Sequence, residues 1–311
     1  MKDMPIKSKD IITTVDLPKG DVDEILRQSE VMLDYLKSGK VPELLKGSIL
    51  ATLFFEPSTR TRLSFTSAML RLGGSVLGFS SEEGTSVKKG ESLEDTVRMA
   101  DSYSDVIVIR HPETGSAKRA AHVARKPVIN GGDGPDHHPT QGLMDLFTIK
   151  REKGLRNVNV ALCGDLRYGR TTHSLIYLLA MYGLGINLVS PPSLRMPDEI
   201  ISDVKKAYGA EIKESRSLQE VVTEADVLYV TRIQKERFLD ISDYGKLEGS
   251  YRVDKKLLKK AKEGLIVMHP LPRVNEISTE VDSTPFAKYF DHAAYGVPVR
   301  MALLSLLLGK I

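Results

Sequence analysis

Short apolar segments alternate with helix-like segments along the chain, and this alternation is the feature that most restricts its fold. In the first half, the segments SILATLFF, SVLGF, DVIVIR and PVIN have the length and composition of buried strands. Helix-like patterns separate them, as in TRTRLSFTSAMLRL and SLEDTVRMADSY, and an earlier helix is predicted with Asp21 as its cap. A strand–helix–strand order requires crossover connections, so it predicts an α/β fold with parallel sheets covered by helices.

The same order starts again after the polar segment KGLRNVN. The later segments NVNVALCG, INLVS, ADVLYVT and LIVMH predict strands, with helices in RTTHSLIYLLAMY and PDEIISDVKKAY. Because 311 residues fit two domains of roughly 150 residues, we predict two parallel-sheet α/β domains of similar size, residues 1–152 and 153–285. A last helix within 286–311 contains the apolar run MALLSLLL and is expected to pack back on the first domain.

Charge and cysteine content exclude several classes of protein. The chain has 44 Lys plus Arg and 41 Asp plus Glu, a net charge of +3, which argues against a nucleic-acid-coating protein but leaves room for a basic pocket. The single cysteine, Cys163, can form neither an internal disulfide nor a thiolate zinc cluster, and it suits a reducing compartment. No apolar run approaches the ~20 residues of a membrane span, and MKDMPIKSKD lacks an apolar signal core. We therefore expect a cytoplasmic protein that does not bind nucleic acid or membrane.

The strand-to-helix junction FEPSTRTR carries the strongest local signal for a binding site. Ser58 suits the N-cap of the following helix, and Thr59, Arg60 and Thr61 follow it directly. The free N–H groups of a first helical turn attract anions, and an arginine can bind a phosphate through two hydrogen bonds. The alternative is a capped helix with solvated arginines. Two arginines and three hydroxyl residues directly after a buried strand favour an anion site.

The segment FEPSTRTRLSF also resembles the carbamoyl-phosphate signature of the transcarbamylases. Further strings occur in the order found in the aspartate branch of that family: TSVKKGES, RHP, HPTQ, GDLRYGRT, TRIQKER and HPLPR. STRTR with HPTQ is typical of the superfamily, whereas TRIQKER with HPLPR is typical of the aspartate members. The resemblance covers about Leu50 to Leu308. It implies carbamoyl transfer from carbamoyl phosphate to L-aspartate, which gives N-carbamoyl-L-aspartate and phosphate in pyrimidine biosynthesis.

The resemblance implies a set of groups around carbamoyl phosphate. Such a transfer needs positioning and positive charge, with no obligatory metal, cofactor or enzyme nucleophile. Arg110, at the end of DVIVIR, is expected to contact both the phosphate and the carbonyl oxygen, and Thr61 and His138 are expected to join it around that oxygen. Gln141 is expected to accept a hydrogen bond from the carbamoyl amide. By local pattern alone, the better interpretation of Arg110 is a surface arginine at a strand end, and the default for His137 and His138 is two loop histidines in water.

Ser86 and Lys89 lie in the polar loop SSEEGTSVKKGES. In the family this segment reaches into the active site of a neighbouring subunit, so the resemblance implies a homotrimer with shared sites in which Ser86 and Lys89 bind the phosphate and Lys89 also contacts aspartate. Lys89 is preferred to Lys88 because it directly precedes Gly-Glu. A solvated charged loop is the better interpretation from local sequence alone.

The second half is expected to supply the aspartate site. The planar guanidinium groups of Arg170 and Arg232 suit the two carboxylates of aspartate better than lysine would. The resemblance implies that six residues of this half contribute, namely Arg170, Thr171, Arg232, Gln234, Leu271 and Pro272. Of these, Leu271 and Pro272 are expected to present backbone carbonyls to the substrate amines. Spacing alone would favour solvated surface residues for the arginines.

Three other functions remain open from sequence. An ornithine transcarbamylase would share the first half of the site, but the chain has Pro270 where that branch carries a cysteine. A nicotinamide-dependent dehydrogenase would need a G-x-G-x-x-G fingerprint, which GDLRYGRT does not match. A non-catalytic anion-binding protein would release no phosphate from the two substrates. Some family members also have a separate zinc-bearing regulatory chain, and the sequence does not decide whether this chain binds one.

Overall fold

The computed structural model describes residues 6–232 and 251–311. The chain divides into two compact units, the first formed by Met1–Phe147 with Tyr295–Ile311 and the second by Thr148–Ala294. Each unit contains a parallel sheet flanked by helices, so the predicted α/β class is confirmed. The boundaries differ from the predicted ones at two places. Residues 148–152, predicted in the first domain, belong to the second unit. Residues 286–294, predicted as part of the C-terminal helix that packs on the first domain, also belong to the second unit.

The first unit is built on a four-stranded parallel sheet in the order β2-β1-β3-β4. Its strands are β1 (Ile49–Phe54), β2 (Ser75–Phe79), β3 (Val106–His111) and β4 (Val128–Asp133). The connecting helices are α2 (Thr59–Arg71), α3 (Leu93–Tyr103) and α4 (Ser116–Val123), preceded by α1 (Lys19–Ser38). In the central strands β1 and β3 almost every residue is buried, which is why both appear in the sequence as continuous apolar runs.

Asp21 does not cap the first helix, contrary to the sequence prediction. The N-cap of α1 is Pro18, and Asp21 lies within the first turn. Its carboxylate instead accepts hydrogen bonds from the backbone N–H groups of Lys7 and Ser8 and from the Ser8 hydroxyl. The side chain therefore attaches the segment before the helix to the helix itself.

The second unit has a five-stranded parallel sheet in the order β7-β6-β5-β8-β9. Its strands are β5 (Asn159–Cys163), β6 (Gly185–Val189), β7 (Ile212–Ser215), β8 (Val227–Val230) and β9 (Ile266–Met268). The helices are α6 (Arg170–Met181), α7 (Asp198–Tyr208), α8 (Leu218–Val221) and α9 (Lys255–Leu258). Strand β7 was not predicted, because it is a short edge strand in which Lys213 and Glu214 face solvent.

Two further helices are α5 (Pro139–Lys153) and the C-terminal helix α10 (Tyr289–Leu307). From Tyr295 onward, α10 packs within the first unit: the rings of Phe147 and Tyr295 are 5.6 Å apart, and the guanidinium of Arg300 lies 4.8 Å from the ring of Phe65. The apolar residues of positions 301–307 are buried, as the sequence predicted. Within the described ranges, no helix combines the length and apolarity needed to cross a membrane.

Candidate active site

The N-terminus of α2 lies directly after the carboxyl end of β1, where ligands bind in open α/β sheets. Ser58 is the N-cap and has the expected extended backbone, with φ −153° and ψ 109°. Its hydroxyl does not cap the helix, and the adjacent Thr59 and Arg60 are exposed. The first turn therefore presents backbone N–H groups and side-chain donors at the positive end of the helix dipole.

Arg60 is held at this edge by its place in the first turn of α2. Although the side chain is exposed, neighbouring protein atoms partly desolvate its guanidinium, and this desolvation lowers its pKa below the ordinary value of 12.5. A guanidinium close to free backbone donors can bind a phosphate through two parallel hydrogen bonds.

Arg110 is positioned by the neighbouring strand, since Arg110 in β3 pairs with Phe54 in β1. The side chain is only 8% exposed. Its Nη1 donates to the carbonyl of Gly131 at 3.1 Å, and its Nη2 lies 3.2 Å from Oε1 of Glu56. Glu56, the acidic residue of FEPSTR, was not among the predicted site residues. It orients a second cation at the same sheet edge.

His138 is the residue before α5 and is 4% exposed. Its Nε2 lies 3.4 Å from the Thr61 hydroxyl, and its Nδ1 lies 3.5 Å from the Thr140 hydroxyl. The structure thus brings together Thr61 and His138, two residues that the sequence separates by 77 positions. His137 is directed differently, since its Nε2 lies 3.5 Å from a carboxylate oxygen of Asp136.

Gln141 lies in the first turn of α5 and is 7% exposed. Its Nε2 donates to Oδ1 of Asp145 at 2.8 Å. This contact directs the N–H₂ end of the amide toward the Asp145 carboxylate.

Ser86 and Lys89 are the first and last residues of a 3-10 helix, and both are exposed. Val87 between them packs against the core of the first unit, which anchors the turn. Within the part of the chain that is described, neither the Ser86 hydroxyl nor the Lys89 ammonium forms a hydrogen bond or ion pair with the residues of the Thr61–His138 site. The structure therefore leaves these two side chains directed outward.

In the second unit, the predicted aspartate-binding residues follow two neighbouring strands. Arg170 and Thr171 begin α6 after β5, and Arg232 follows β8, which pairs directly with β5. Arg170, Thr171 and Arg232 are all half-buried. The carboxyl ends of the two strands approach closely, because a Cβ on Gly164 would lie only 2.3 Å from the carbonyl oxygen of Thr231. Gln234 lies outside the described residues.

The HPLPR loop has an unusual backbone. Leu271 has a φ of 56°, which is strained for a residue with a side chain, and the Leu271–Pro272 peptide bond is cis. The N–H of Leu271 donates to Nδ1 of His269 at 2.8 Å. Leu271 is half-buried and Pro272 is exposed.

Two ionisable side chains, His269 and Glu276, form hydrogen bonds with backbone N–H groups of this loop. Burial lowers the pKa of His269, although Glu276 acts in the opposite direction. Burial alone would raise the pKa of Glu276, but the hydrogen bond from His269 and bonds from backbone N–H groups lower it. The result is a neutral imidazole beside an ionised carboxylate.

The thiol of Cys163 is shielded from solvent. Cys163 is fully buried, and burial raises the pKa of its thiol to about 12. It is therefore a small core residue rather than a nucleophile. Among residues 6–232 and 251–311, His, Cys, Asp and Glu side chains form no group of three or more that could hold a metal ion.

The comparisons with known proteins assign the class of this α/β enzyme. Residues 9–151 match the family described as the carbamoyl-P binding domain of aspartate/ornithine carbamoyltransferase, and residues 156–307 match its Asp/Orn binding domain. The chain belongs to the aspartate/ornithine carbamoyltransferase family and is a carbamoyltransferase.

The relatives compared here in detail are all aspartate carbamoyltransferases. The chain is 55% identical to the aspartate carbamoyltransferase catalytic subunit of Thermococcus onnurineus, with 99% of each chain covered. It is 52% identical to the corresponding subunit of Methanosarcina barkeri, covering 99% of this chain and 100% of the relative. The catalytic subunit of M. jannaschii aspartate transcarbamoylase superposes with a TM-score of 0.89 at 47% identity, over 96% of this chain and 98% of that one. The resemblance inferred from the sequence motifs is confirmed.

Proposed function

We propose that this chain transfers the carbamoyl group of carbamoyl phosphate to the amine of L-aspartate and forms N-carbamoyl-L-aspartate and phosphate, a reaction of pyrimidine biosynthesis. The observation that carries the proposal is the contact between Thr61 and His138 beside the N-terminus of α2, at the carboxyl edge of the first sheet. A related structure from Trypanosoma cruzi, 40% identical with a TM-score of 0.90 and 97% of each chain covered, was determined with carbamoyl phosphate and aspartate.

The first unit supplies the groups for carbamoyl phosphate. Ser58, Thr59, Arg60 and Thr61 bind the phosphate through backbone N–H groups, hydroxyls and a guanidinium. Arg110, His138 and the Thr61 hydroxyl converge on the carbonyl oxygen. As the amine attacks the carbonyl carbon, negative charge develops on that oxygen, and fixed donors stabilise it most in the transition state.

The second unit supplies the groups for aspartate. The guanidinium groups of Arg170 and Arg232 bind the two carboxylates, with Thr171 next to Arg170 and with Gln234 as a further partner. The carbonyls of Leu271 and Pro272 accept hydrogen bonds from the substrate amines. The strained backbone at Leu271 supports a binding role for this loop, since such strain is concentrated at functional sites.

Proton transfer in this scheme needs no basic side chain. The attacking amine forms a bond to the carbonyl carbon, the bond from that carbon to the phosphate oxygen breaks, and the departing phosphate takes the proton from the amine. The enzyme's part is therefore positioning and charge stabilisation.

A homotrimer with shared active sites completes the proposal. Leu63 and Leu70 of α2 are 54% and 56% exposed, and Met99 and Tyr103 of α3 are 46% and 58% exposed. Large apolar side chains exposed on two helices of one unit support a subunit interface there. The outward-directed Ser86 and Lys89 would then serve the site of the adjacent subunit.

Two further parts of the proposal concern partners and location. The curated relatives are named catalytic subunits, which supports the existence of a separate regulatory chain as a partner. A cytoplasmic location is supported by the single, buried cysteine, which needs no oxidising compartment.

A colorimetric assay with aspartate and ornithine side by side tests the function. The purified chain, given carbamoyl phosphate, should form carbamoyl-aspartate and one equivalent of phosphate, and it should form little or no citrulline. Preferential use of ornithine would contradict the substrate assignment, and phosphate binding without release of product would contradict the enzymatic one.

A further inference from the structure

The carboxyl end of β4 contains a β-bulge opposite Arg110. Ile109 of β3 pairs with Asn130 of β4, and the next pair along the strands is His111 with Asp133. The single residue between the pairs on β3, Arg110, therefore lies opposite two residues on β4. A bulge bends its strand locally, and bulges next to active sites redirect side chains. This irregularity lies beside the proposed carbamoyl-phosphate groups, so its cause and its effect on Arg110 matter for the site.

The two residues of the bulge are glycines, at positions where a side chain would be crowded or strained. A Cβ on Gly131 would lie 3.2 Å from the carbonyl oxygen of Ile109. Gly132 has a φ of 117°, which favours glycine. The Gly131 carbonyl accepts the hydrogen bond from Nη1 of Arg110 at 3.1 Å, whereas Glu56 contacts the other terminal nitrogen, Nη2. The bulge therefore supplies one of the two acceptors that orient this guanidinium.

The side chain of Asn130 holds the bulge in place. Asn130 is 0% exposed, and its Oδ1 accepts from the backbone N–H of Gly132 at 2.7 Å. Its Nδ2 donates to the carbonyl of Ile12 at 2.9 Å and to Oδ1 of Asp133 at 2.8 Å. Since the Ile12 carbonyl can only accept, the N–H₂ end of the amide must face it, whatever the protonation state of Asp133. The oxygen end is thereby directed to Gly132.

The main chain of Arg110 is fixed from the opposite side of β3. Its carbonyl accepts from the backbone N–H of Phe55, directly after β1, at 2.9 Å. The freedom that remains to Arg110 is therefore that of its long side chain, and the Gly131 carbonyl restricts it. A guanidinium that is already oriented loses less rotamer freedom when charge develops on the substrate, and this favours the transition state.

We propose that Asn130 is a positioning residue, which stabilises the bulge at Gly131 and Gly132 and thereby directs the guanidinium of Arg110 toward the carbamoyl oxygen. The inference rests on the proposed function, in which Arg110 stabilises the negative charge that develops on that oxygen. Asn130 acts without touching the substrate, through the N–H of Gly132, the carbonyl of Gly131 and Nη1 of Arg110.

Asn130→Ser tests this role, because it removes the amide but keeps a small polar side chain. The assay is run at a temperature at which circular dichroism shows the variant to be folded. With both substrates saturating, kcat should fall by about tenfold to a hundredfold, because Arg110 is misplaced in the transition state. The inhibition constant of inorganic phosphate should change by less than about threefold, because the groups of α2 are intact. An unchanged kcat, or equal losses in both constants, would overturn the proposal.

A double-mutant cycle tests whether Asn130 acts through Arg110. Arg110→Ala alone should lower kcat by at least about a hundredfold. Adding Asn130→Ser should change kcat by less than about twofold, yet it should still lower the melting temperature, since the bonds to Ile12 and Asp133 are lost in either background. Multiplicative losses of kcat would show that Asn130 influences the reaction by another route, and they would overturn the proposal.

Asp101→Ser is the matched control for a buried side chain that holds backbone in the same unit. Asp101 is 3% exposed and accepts from the backbone N–H groups of Arg125 and Lys126, before the amino end of β4. This variant should have a lower melting temperature and an unchanged kcat. A loss of kcat as large as that of Asn130→Ser would mean that kcat follows general destabilisation of the unit, and the proposal would fail.

An exchange of two residues covers the case in which Asn130→Ser does not fold. Asn130→Asp combined with Asp133→Asn keeps one amide and one carboxylate, and the new carboxylate can still accept from Gly132 and from the new amide. This variant should keep kcat within about tenfold of the wild type; a folded exchange variant with the kcat of Arg110→Ala would overturn the proposal. A wild-type chain that forms no carbamoyl-aspartate would instead contradict the proposed function itself.

Discussion

Nε2 of His269 lies 2.7 Å from Oε1 of Glu276, and both side chains are almost completely buried. Since Nδ1 of the same imidazole accepts the hydrogen bond from the N–H of Leu271, the proton of the neutral ring is on Nε2, where it is donated to Glu276. Glu276 in turn accepts from the backbone N–H groups of Val274 and Asn275. One histidine and one glutamate therefore link Leu271 to Val274 and Asn275, directly after the HPLPR turn.

This pair predicts a loss of stability in mild acid. The pKa of His269 is lowered from its ordinary 6.5 by burial, so the unfolded chain binds a proton at a higher pH than the folded chain does. The stability that the neutral ring contributes is complete above about pH 6.5 and is lost progressively as the pH falls below that value, towards the lower pKa of the folded state. Urea denaturation at several pH values between 8 and 5 should show this decrease.

His269→Asn separates this effect from other titrations, because the asparagine carbonyl can still accept from Leu271 but does not titrate. The variant should show a weaker pH dependence between pH 7 and 5 than the wild type. His122→Gln, at an exposed histidine of α4, should leave the dependence unchanged. An identical pH dependence in all three proteins would show that His269 does not remain neutral in the folded state.

Replacement of Arg60 should remove activity without unfolding the chain. Arg60 is exposed at the start of α2, so Arg60→Ala leaves the core intact but removes the guanidinium proposed to bind the phosphate. We expect kcat/KM for carbamoyl phosphate to fall by at least about a hundredfold. Circular dichroism should be unchanged. Arg27→Ala, on the exposed surface of α1, is the matched control and should be fully active. Near-normal activity of Arg60→Ala would refute the assignment of the phosphate site.

The parts of the fold and site that the sequence predicted correctly are those with a local cause. Strands β1 and β3 are buried on both faces and so are continuously apolar. Ser58 is at the predicted N-cap position because it lies between the end of β1 and the start of α2, although its hydroxyl forms no capping hydrogen bond. The edge strand β7 lacks that apolar pattern, because its charged residues face solvent.

The parts that could not be predicted depend on partners distant in sequence. Nothing in the local sequence distinguishes Asp145 from a solvated aspartate on a helix. Its burial becomes apparent only in the structure, where it interacts with the charge of Arg300, which lies 155 positions later in the sequence. Asp21 has the sequence of a helix cap, but the N-terminal segment competes for its carboxylate. Glu56 could have been proposed as a site residue from the sequence, since it lies within the FEPSTR motif. Its contact with Arg110 follows from the pairing of β1 with β3.

Arg232 should affect aspartate far more than carbamoyl phosphate. It lies in the second unit after β8, whereas the proposed phosphate groups lie in the first. In Arg232→Ala the KM for aspartate should rise at least about tenfold, because a charge-assisted hydrogen bond to a carboxylate is lost. The KM for carbamoyl phosphate should change much less. Equal increases in both constants would mean that the substrates are assigned to the wrong units.

Gly164 should be intolerant of a side chain because β5 and β8 approach closely there. Its φ is 114°, and a Cβ would lie 2.3 Å from the carbonyl oxygen of Thr231, the residue before Arg232. Gly164→Ala should destabilise the chain by more than about 2 kcal/mol in urea denaturation and should also weaken aspartate binding. Gly183→Ala is the matched control, since Gly183 has a φ of 65° but a Cβ added there would meet no atom within 4 Å. It should cost only about 1 kcal/mol and leave the KM for aspartate unchanged. Equal effects of the two substitutions would contradict the steric argument.

The proposed sharing of active sites between subunits can be tested by mixing two inactive variants. Arg60→Ala removes a group that each chain supplies to its own site, and Lys89→Ala removes a group proposed to serve the neighbouring site. If equal amounts are dissociated, mixed and reassembled into closed rings, about a quarter of the sites should combine an intact Arg60 with an intact Lys89. Roughly that fraction of wild-type activity should return.

Two controls test whether recovered activity depends on Lys89 serving the site of a neighbouring subunit. A mixture of Arg60→Ala with His138→Ala should recover nothing, because both residues belong to the first unit of one chain, and no ring position then restores a complete site. Lys88→Ala should be active by itself, because Lys89 is the residue assigned to the site; an inactive Lys88→Ala with an active Lys89→Ala would exchange the two assignments. If the Arg60→Ala and Lys89→Ala mixture stays inactive while both variants assemble as trimers, Lys89 does not serve a neighbouring site.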